Sequence, residues 1–204
     1  MWYNCAGPDI AKIKAGNIES YNHWFNNTAE VEITPQMVLD QIERYNKRNK
    51  ILDPEGHLLG AIIASLREYE KDRRSGKYAQ YHLVYCAHYI GDLSMPLHNI
   101  AYDDFNEDHH QANDGIVGDT ILKEPEKITG RMYPITLSKK DFEADLAREI
   151  ARIANLSRKL GYKLREEKRD MTKQEAYVQL GHSTSLLRAV LQHYNHGSNQ
   201  AVGY

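Results

Sequence analysis

The stretch Tyr78–His98, YAQYHLVYCAHYIGDLSMPLH, decides the fold class of this chain. Four tyrosines recur in it at the spacing of a helix face: Tyr78, Tyr81, Tyr85 and Tyr89. This periodicity predicts a helix from Tyr78 to about Ser94. Pro96 is expected to end or bend that helix, because its ring removes a backbone N–H and clashes with the preceding turn. A bend here would turn His98 towards the helix face that carries His88.

Helical periodicity continues on both sides of this stretch. Upstream, we predict a helix from Pro35 to about Asn49 with Thr34 as its N-cap, and a second helix that begins near Pro54. Downstream, two further helices are predicted from apolar residues spaced three, four and seven apart: Phe142, Leu146, Ile150, Ile153 and Leu160, then Tyr177, Leu180, Leu187, Leu191 and Tyr194.

The remaining segments add little regular structure. Residues 163–170 are interpreted as a polar connection, and residues 117–139 as a long irregular one. Met132–Leu137 is the best strand candidate and alternates only weakly. The chain is therefore predicted to be all-α, a multi-helix bundle, with residues 1–204 forming a single domain.

Composition narrows the classes of function. The chain has 26 basic and 28 acidic residues, so no global positive field attracts nucleic acid. No apolar stretch approaches the roughly 20 residues that a membrane span needs. Two cysteines are too few for a Cys-rich zinc knuckle. Five of the ten histidines lie between His82 and His110 among several aspartates, a ligand set typical of hydrolytic rather than structural metal sites.

Two His-x-x-x-Asp pairs occur in this region, His88 with Asp92 and His110 with Asp114. Residues four apart share a helix face, so each pair points an imidazole and a carboxylate the same way. One such pair alone is more often a surface contact than a metal site. Two pairs that flank His98 can hold adjacent cations across a bundle, with a carboxylate bridging them. Helical di-iron and di-manganese proteins use Glu with Glu-x-x-His, so the spacing here disfavours that class.

The order of these motifs resembles the zinc-dependent phospholipase C family, whose superfamily includes the fungal single-strand nucleases. The resemblance is carried by Gly7-Pro8-Asp9-Ile10, by His23 beside Trp24, by His88-Tyr-Ile-Gly-Asp92 with Pro96-Leu-His98, and by His110 with Asp114. It covers mainly residues 7–28 and 78–115. Asp114 stands where a glutamate is common in the family, which shortens that ligand by one methylene.

The resemblance implies a bundle of the phospholipase C type and a specific set of zinc ligands. One zinc ion would be bound by Asp9, His23, His88 and Asp92. A second would be bound by His98, His110 and Asp114, with Asp92 bridging the two ions. The family's third zinc uses the mature N-terminal residue and an upstream histidine, and no histidine precedes Asp9 here.

The same resemblance implies a zinc-dependent phosphodiester hydrolase. A hydroxide bridging the ions would attack a phospholipid head group or another phosphodiester, and Asp9 would orient or deprotonate the water as the catalytic residue. Two alternatives stay open at this point: a single-strand nuclease acting on nucleic acid, and a metal-binding relative with weak catalysis and an interaction role. Near-neutral charge slightly favours a lipid substrate.

The chain start bears on localisation. Met1-Trp2-Tyr3 opens the sequence without the pattern of a signal peptide. Either an upstream segment has been removed or the natural protein is short here. Because relatives are commonly exported, we expect the natural protein to be secreted or periplasmic.

Overall fold

The computed structural model describes Asp9, residues 19–47 and residues 54–198. These residues contain seven α-helices: α1 (Pro35–Asp40), α2 (Leu58–Arg74), α3 (Gln80–Leu93), α4 (Asp104–Asp114), α5 (Glu126–Thr129), α6 (Phe142–Glu167) and α7 (Lys173–Ser198). They also contain three short 3₁₀ helices: Glu19–Asn22 before α1, Ile42–Arg44 between α1 and α2, and Pro96–Asn99 between α3 and α4. No strand occurs in this part of the chain, so the all-α prediction is confirmed and Met132–Leu137 is not a strand. None of the described helices is both long and apolar enough to cross a bilayer.

The main core lies between α2 and α3. The first half of α2, Leu58–Leu66, is buried, whereas Arg67–Arg74 is charged and largely solvent-facing. Tyr89, Ile90 and Leu93 of α3 pack in the same hydrophobic cluster and are at most 1% exposed. Burial of each large apolar side chain contributes about 1.5–3 kcal/mol. This core fixes the position of helix α3, which carries His88 and Asp92.

The predicted helix from Pro35 to Asn49 is shorter than the periodicity suggested. Thr34 caps α1 as expected, but the helix ends at Asp40, and its predicted last two residues lie outside the described part of the chain. The reason is a close crossing with α2: a Cβ on Gly60 would lie 2.3 Å from the Gln41 backbone carbon. Gln41 Oε1 also accepts a hydrogen bond from the Gly60 N–H, at 3.2 Å. A tertiary contact therefore ends the regular helix.

The predicted polar connection over residues 163–170 is mostly helix instead. Helix α6 continues to Glu167 and ends at Lys168, whose φ of 50° is left-handed. Leu164 is fully buried, so one apolar anchor keeps the polar stretch helical. Residues 117–139 are irregular as expected, apart from turns and the short α5.

The turn that carries His98 is held against α6 and against the segment after His23. Pro96 begins the 3₁₀ helix after α3, so the chain bends where the proline predicts. The Phe25 N–H donates to the His98 carbonyl oxygen at 2.9 Å. A Cβ on Gly161 of α6 would lie 2.7 Å from Ile100 Cγ2 and 2.9 Å from the Pro96 carbonyl oxygen. Only a residue without a side chain permits this approach.

We predict that Gly161→Ala lowers the free energy of unfolding by about 1–3 kcal/mol, because the added methyl must displace the turn that carries His98. Gly91→Ala is the matched control, since a Cβ there meets nothing within 4 Å. That change should leave stability unchanged or raise it by up to about 1 kcal/mol. Urea unfolding followed by circular dichroism measures both, and equal effects of the two substitutions would contradict the close packing at Gly161.

Candidate metal centre

His23 is positioned by backbone hydrogen bonds to the start of α2. The His57 N–H donates to the Tyr21 carbonyl oxygen at 2.8 Å, and the Leu58 N–H to that of Trp24 at 3.1 Å. Gly56 has a φ of 81°, and a Cβ there would lie 2.4 Å from the Trp24 carbonyl oxygen. The residues on either side of His23 are therefore fixed to a buried helix end.

Asp9, His23 and His88 form the first cluster. His23 Nδ1 lies 3.1 Å from His88 Nε2, and each of these nitrogens lies 3.8 Å from Asp9 Oδ1. Asp92 Oδ2 joins them, 3.0 Å from His23 Nδ1 and 3.3 Å from His88 Nε2. Atoms bound to one tetrahedral zinc at about 2.1 Å lie about 3.4 Å from one another. The spacing of the four side chains fits that geometry.

Hydrogen bonds alone account poorly for this convergence. His23 Nδ1 meets another ring nitrogen and two carboxylate oxygens, at 3.1, 3.0 and 3.8 Å. A single N–H can serve only one acceptor well. A cation among the four atoms would interact favourably with all of them, as histidine and aspartate ligands do at zinc sites.

His98, His110 and Asp114 form the second cluster. The Nε2 atoms of His98 and His110 face each other at 3.1 Å, and the ligand atoms of all three residues lie within 4.8 Å of one another. His98 comes from the turn after Pro96, whereas His110 and Asp114 lie four apart on α4. The two clusters are the groups in the described residues that suit metal ions.

Asp92 connects the clusters. Its Oδ2 atom faces His23 and His88, and its Oδ1 atom lies 3.3 Å from His98 Nδ1. Burial alone would raise the pKa of the Asp92 carboxyl, but His98 and His88 more than offset burial and hold that pKa well below its usual range. Burial would likewise lower the pKa of His98, and the Asp92 carboxylate raises it. Asp92 is therefore a carboxylate that stays ionised between two groups of imidazoles.

Asn106 is a residue of the site that the sequence analysis missed. Its Nδ2 donates to the carbonyl oxygens of Leu97 at 2.7 Å and Ala101 at 3.4 Å, so Oδ1 is left as the acceptor. His110 Nδ1 lies 3.0 Å from that Oδ1 and must carry the proton. The Nε2 lone pair of His110 then faces His98, as a ligand requires. The spacing of four residues between Asn106 and His110 on one helix is the signal that points to this pair.

The structure brings together all seven residues of the predicted ligand set. Asp9, His23 and His88 lie in the first cluster, His98, His110 and Asp114 in the second, and Asp92 between the two clusters. Asp9, the predicted catalytic residue, has a side chain that is 53% exposed. Gly7, Pro8 and Ile10 of its motif lie outside the described residues.

Two neighbouring histidines face elsewhere. His109 Nδ1 lies 2.7 Å from Asp170 Oδ1, and its ring stacks on Phe105 at a centroid distance of 4.3 Å. His57 is buried at the start of α2, with Nε2 at 2.8 Å from Asn22 Oδ1. Both therefore have structural contacts outside the clusters.

An open cleft of about 800 Å³ leads to residues of both clusters. We call it the aromatic cleft because Tyr21, Trp24 and Tyr102 line it beside His23, His98 and His110. Its acidic wall consists of Glu55, Glu107 and Asp114. Neither lysine nor arginine is among its described lining residues.

We predict that Asn106→Leu weakens zinc binding at the second cluster by about 10–100-fold, because His110 loses the acceptor that orients its ring. The first cluster should keep its affinity, so calorimetric titration of zinc into the metal-free protein should show one tight and one weakened site.

Asn113→Leu is the matched control. Asn113 is a buried amide on the same helix, but its hydrogen bonds go to the His109 carbonyl, Asp170 and the Met171 N–H. This change should reduce stability and leave both zinc affinities intact. Equal weakening by the two substitutions would show that general damage to α4, not the orientation of His110, is responsible.

The sequence motifs are the basis for relating this chain to other proteins. Comparison with family profiles, with curated proteins and with solved structures found no match. The resemblance to the zinc-dependent phospholipase C family is therefore carried by the spacing of the motifs quoted above. The geometry of the two linked His/Asp clusters is an observation separate from that resemblance.

Proposed function

We propose that this chain is a zinc-dependent phosphodiester hydrolase of the phospholipase C type. One observation carries the proposal: the Asp92 carboxylate lies 3.3 Å from His88 Nε2 of the first cluster and 3.3 Å from His98 Nδ1, on the ring whose Nε2 faces His110 in the second cluster. Two cations that share a carboxylate are suited to bind the oxygens of one phosphoryl group. Histidine and aspartate without thiolate ligands favour a hydrolytic zinc site over a structural one.

The chemistry divides between the ions and the side chains. Bound zinc ions would lower the pKa of a coordinated water to about 7 and neutralise charge on the phosphoryl oxygens. Asp9 is the half-exposed carboxylate at the first cluster, and it would orient the attacking water and take up its proton. Water forms a new P–O bond, the bond from phosphorus to the alcohol oxygen breaks, and the proton passes to the released alcohol. The products are an alcohol and a phosphomonoester.

The aromatic cleft favours a substrate with a cationic substituent. Trp24 and Tyr102 are aromatic residues of its lining, and Tyr102 is 60% exposed. Glu55 and Glu107 add negative charge at the rim and are both exposed. Aromatic rings beside carboxylates attract quaternary ammonium groups. A phosphocholine ester therefore suits this cleft better than a polyanion.

The nuclease alternative has one observation in its favour, since the same aromatic side chains can stack nucleobases. A nucleic-acid groove normally also carries basic residues along its backbone path. The described lining of the cleft has acidic residues in those places. We therefore rank the nuclease second. A metal-binding relative with weak catalysis remains the third proposal.

We predict that the zinc-loaded protein binds two zinc ions per chain and hydrolyses p-nitrophenylphosphocholine faster than bis-p-nitrophenyl phosphate or single-stranded DNA. Asp92→Asn should lower the zinc content below two and reduce turnover by at least about 100-fold, because the amide cannot provide an anionic bridge between the ions. Elemental analysis measures the zinc, and release of nitrophenol measures turnover.

Each result separates the alternatives. Two zinc ions without turnover on any ester would support the weak relative instead. Preferred cleavage of single-stranded DNA would support the nuclease. A different metal at full occupancy, or none, would contradict the zinc assignment. Asp72→Asn is a control, since Asp72 pairs with His82 away from the clusters and its loss should leave zinc content and turnover unchanged.

We further predict that Tyr102→Leu raises the KM for p-nitrophenylphosphocholine by about 2–30-fold, because one cation–π contact is lost. The KM for bis-p-nitrophenyl phosphate, which has no cationic group, should change less than twofold. Steady-state kinetics on both esters provides the comparison. An equal rise for the two substrates would argue against a cation-binding role of Tyr102.

A further inference from the structure

Asn22, the residue before the predicted ligand His23, lies at the centre of a buried hydrogen-bond network. Its Oδ1 accepts from the Asn46 N–H at 3.3 Å and lies 2.8 Å from His57 Nε2. Its Nδ2 donates to Asn46 Oδ1 at 2.7 Å and to the Tyr89 hydroxyl at 3.2 Å. These four contacts match the two donors and two acceptor positions of a side-chain amide. We call Asn22, Asn46, His57 and Tyr89 the anchoring network.

The anchoring network fixes the orientation of the Asn22 amide. Its Oδ1 atom must be the acceptor, because the Asn46 backbone N–H can only donate, and His57 Nε2 therefore carries its proton. Asn46 has a φ of 56°, a left-handed conformation in which asparagine is enriched among residues other than glycine. Asn22 and His57 are both fully buried. Because buried polar groups are stable when they are hydrogen-bonded, this network ties three distant segments to one amide.

Tyr89 extends the network to the first cluster. Its ring stands edge-on to the imidazoles of His23 and His88, with centroid distances of 5.8 and 6.1 Å and an interplanar angle of 85° to each. The rings of Tyr45 and Tyr85 pack against it, each at 6.2 Å. Aromatic rings favour such perpendicular contacts. Tyr89 is fully buried, so its ring is held by these neighbours and by the hydrogen bond at its hydroxyl.

The two clusters are thus supported in different ways. In the second cluster, Asn106 accepts a hydrogen bond from His110 and orients that ring directly. In the first cluster, one buried ring contacts both imidazoles, whose centroids lie 4.9 Å apart at an interplanar angle of 80°. A ligand ring that rotates away from the shared point no longer presents its nitrogen to the ion. A residue that restrains both rings therefore acts on metal binding.

We propose that Tyr89 is a positioning residue of the first cluster, which holds the imidazoles of His23 and His88 in the orientation that an ion requires before the ion binds. Asn22 anchors Tyr89 through its hydroxyl. A site that is ordered in advance binds its ion more tightly, because less conformational freedom is lost on binding. This inference rests on the proposed function for the identity of the ion as zinc.

Zinc titration by calorimetry measures the effect. The His110→Ala background is used, because the second cluster lacks a ligand there and the measured affinity belongs to the first cluster. Tyr89→Leu removes the ring and should weaken zinc binding by about 10–100-fold. Tyr89→Phe keeps the ring but loses the hydrogen bond to Asn22, and should weaken binding by about 2–5-fold. Unchanged affinity in Tyr89→Leu, or equal losses in the two variants, would overturn the proposal.

Tyr177→Leu is the matched control in the same background. Tyr177 is 1% exposed, and its hydroxyl contacts Thr120 and Glu124 instead of residues of the first cluster. Both Leu variants should unfold at lower urea concentration, but only Tyr89→Leu should lose zinc affinity. Equal losses of affinity would attribute the effect to general loosening of the core and overturn the proposal. If Tyr89→Leu does not fold, Tyr89→Phe is compared with Tyr177→Phe, and equal zinc affinities in that pair would overturn it.

Nuclear magnetic resonance of the metal-free protein tests the orientation directly. In the wild type, carbon relaxation should show restrained imidazole rings at His23 and His88. In Tyr89→Leu both rings should gain motion, whereas His110, which Asn106 orients, should not change. Rings of His23 and His88 that stay equally restrained in the variant would contradict positioning by Tyr89.

The outcomes separate this inference from the proposed function. A protein with two zinc ions and phosphodiesterase activity, whose Tyr89 variants keep full zinc affinity, would overturn the inference alone. Loss of zinc affinity in the Tyr89 variants of a protein without turnover on any ester would retain the inference and remove the hydrolase assignment. Absence of zinc binding by the wild type would overturn both.

Discussion

The buried carboxylate of Asp92 is the constraint on which the site depends. A carboxylate removed from water is stable only when its charge is compensated nearby. The two oxygens of Asp92 face different partners, His23 and His88 on one side and His98 on the other. The imidazoles hold the pKa of the Asp92 carboxyl well below its usual range, and the carboxylate connects the two clusters. Loss of the Asp92 carboxylate would remove the negative charge that faces imidazoles of both clusters.

The fold satisfies that constraint through a few local and tertiary contacts. Because His88 and Asp92 are four residues apart, helix geometry alone places both side chains on one face of α3. Pro96 ends the helix and begins the turn that presents His98. The Phe25 N–H donates to the His98 carbonyl oxygen and connects the segment after His23 with that turn. Gly161 then lets α6 approach closely enough to hold the turn from behind.

The surroundings of the two clusters are asymmetric, and in the proposed hydrolase this asymmetry would bear on specificity. On one side, aromatic and acidic side chains form an open cleft, to which the proposed function assigns a cationic substituent. On another, apolar residues from α7 and from the segment after α4 form a cavity that shares Asp114 with the cleft. The proposed ions would supply the reactivity, which is common to many phosphodiesterases. The lining of the aromatic cleft would decide which ester is bound.

The sequence by itself determined the all-α class, the two His-x-x-x-Asp faces and the break at Pro96, because helix periodicity and proline sterics act within a few residues. It misjudged the ends of α1 and α6, where the crossing at Gly60 and the burial of Leu164 outweigh local pattern. The resemblance grouped Asp9 and His23 with His88 from the order of the motifs, and the tertiary structure brings the three residues together. Only the tertiary structure oriented the Asn106 amide and formed the two cavities. The first cluster and the cavities join residues far apart in the chain, and their positions follow from packing, which no local spacing encodes.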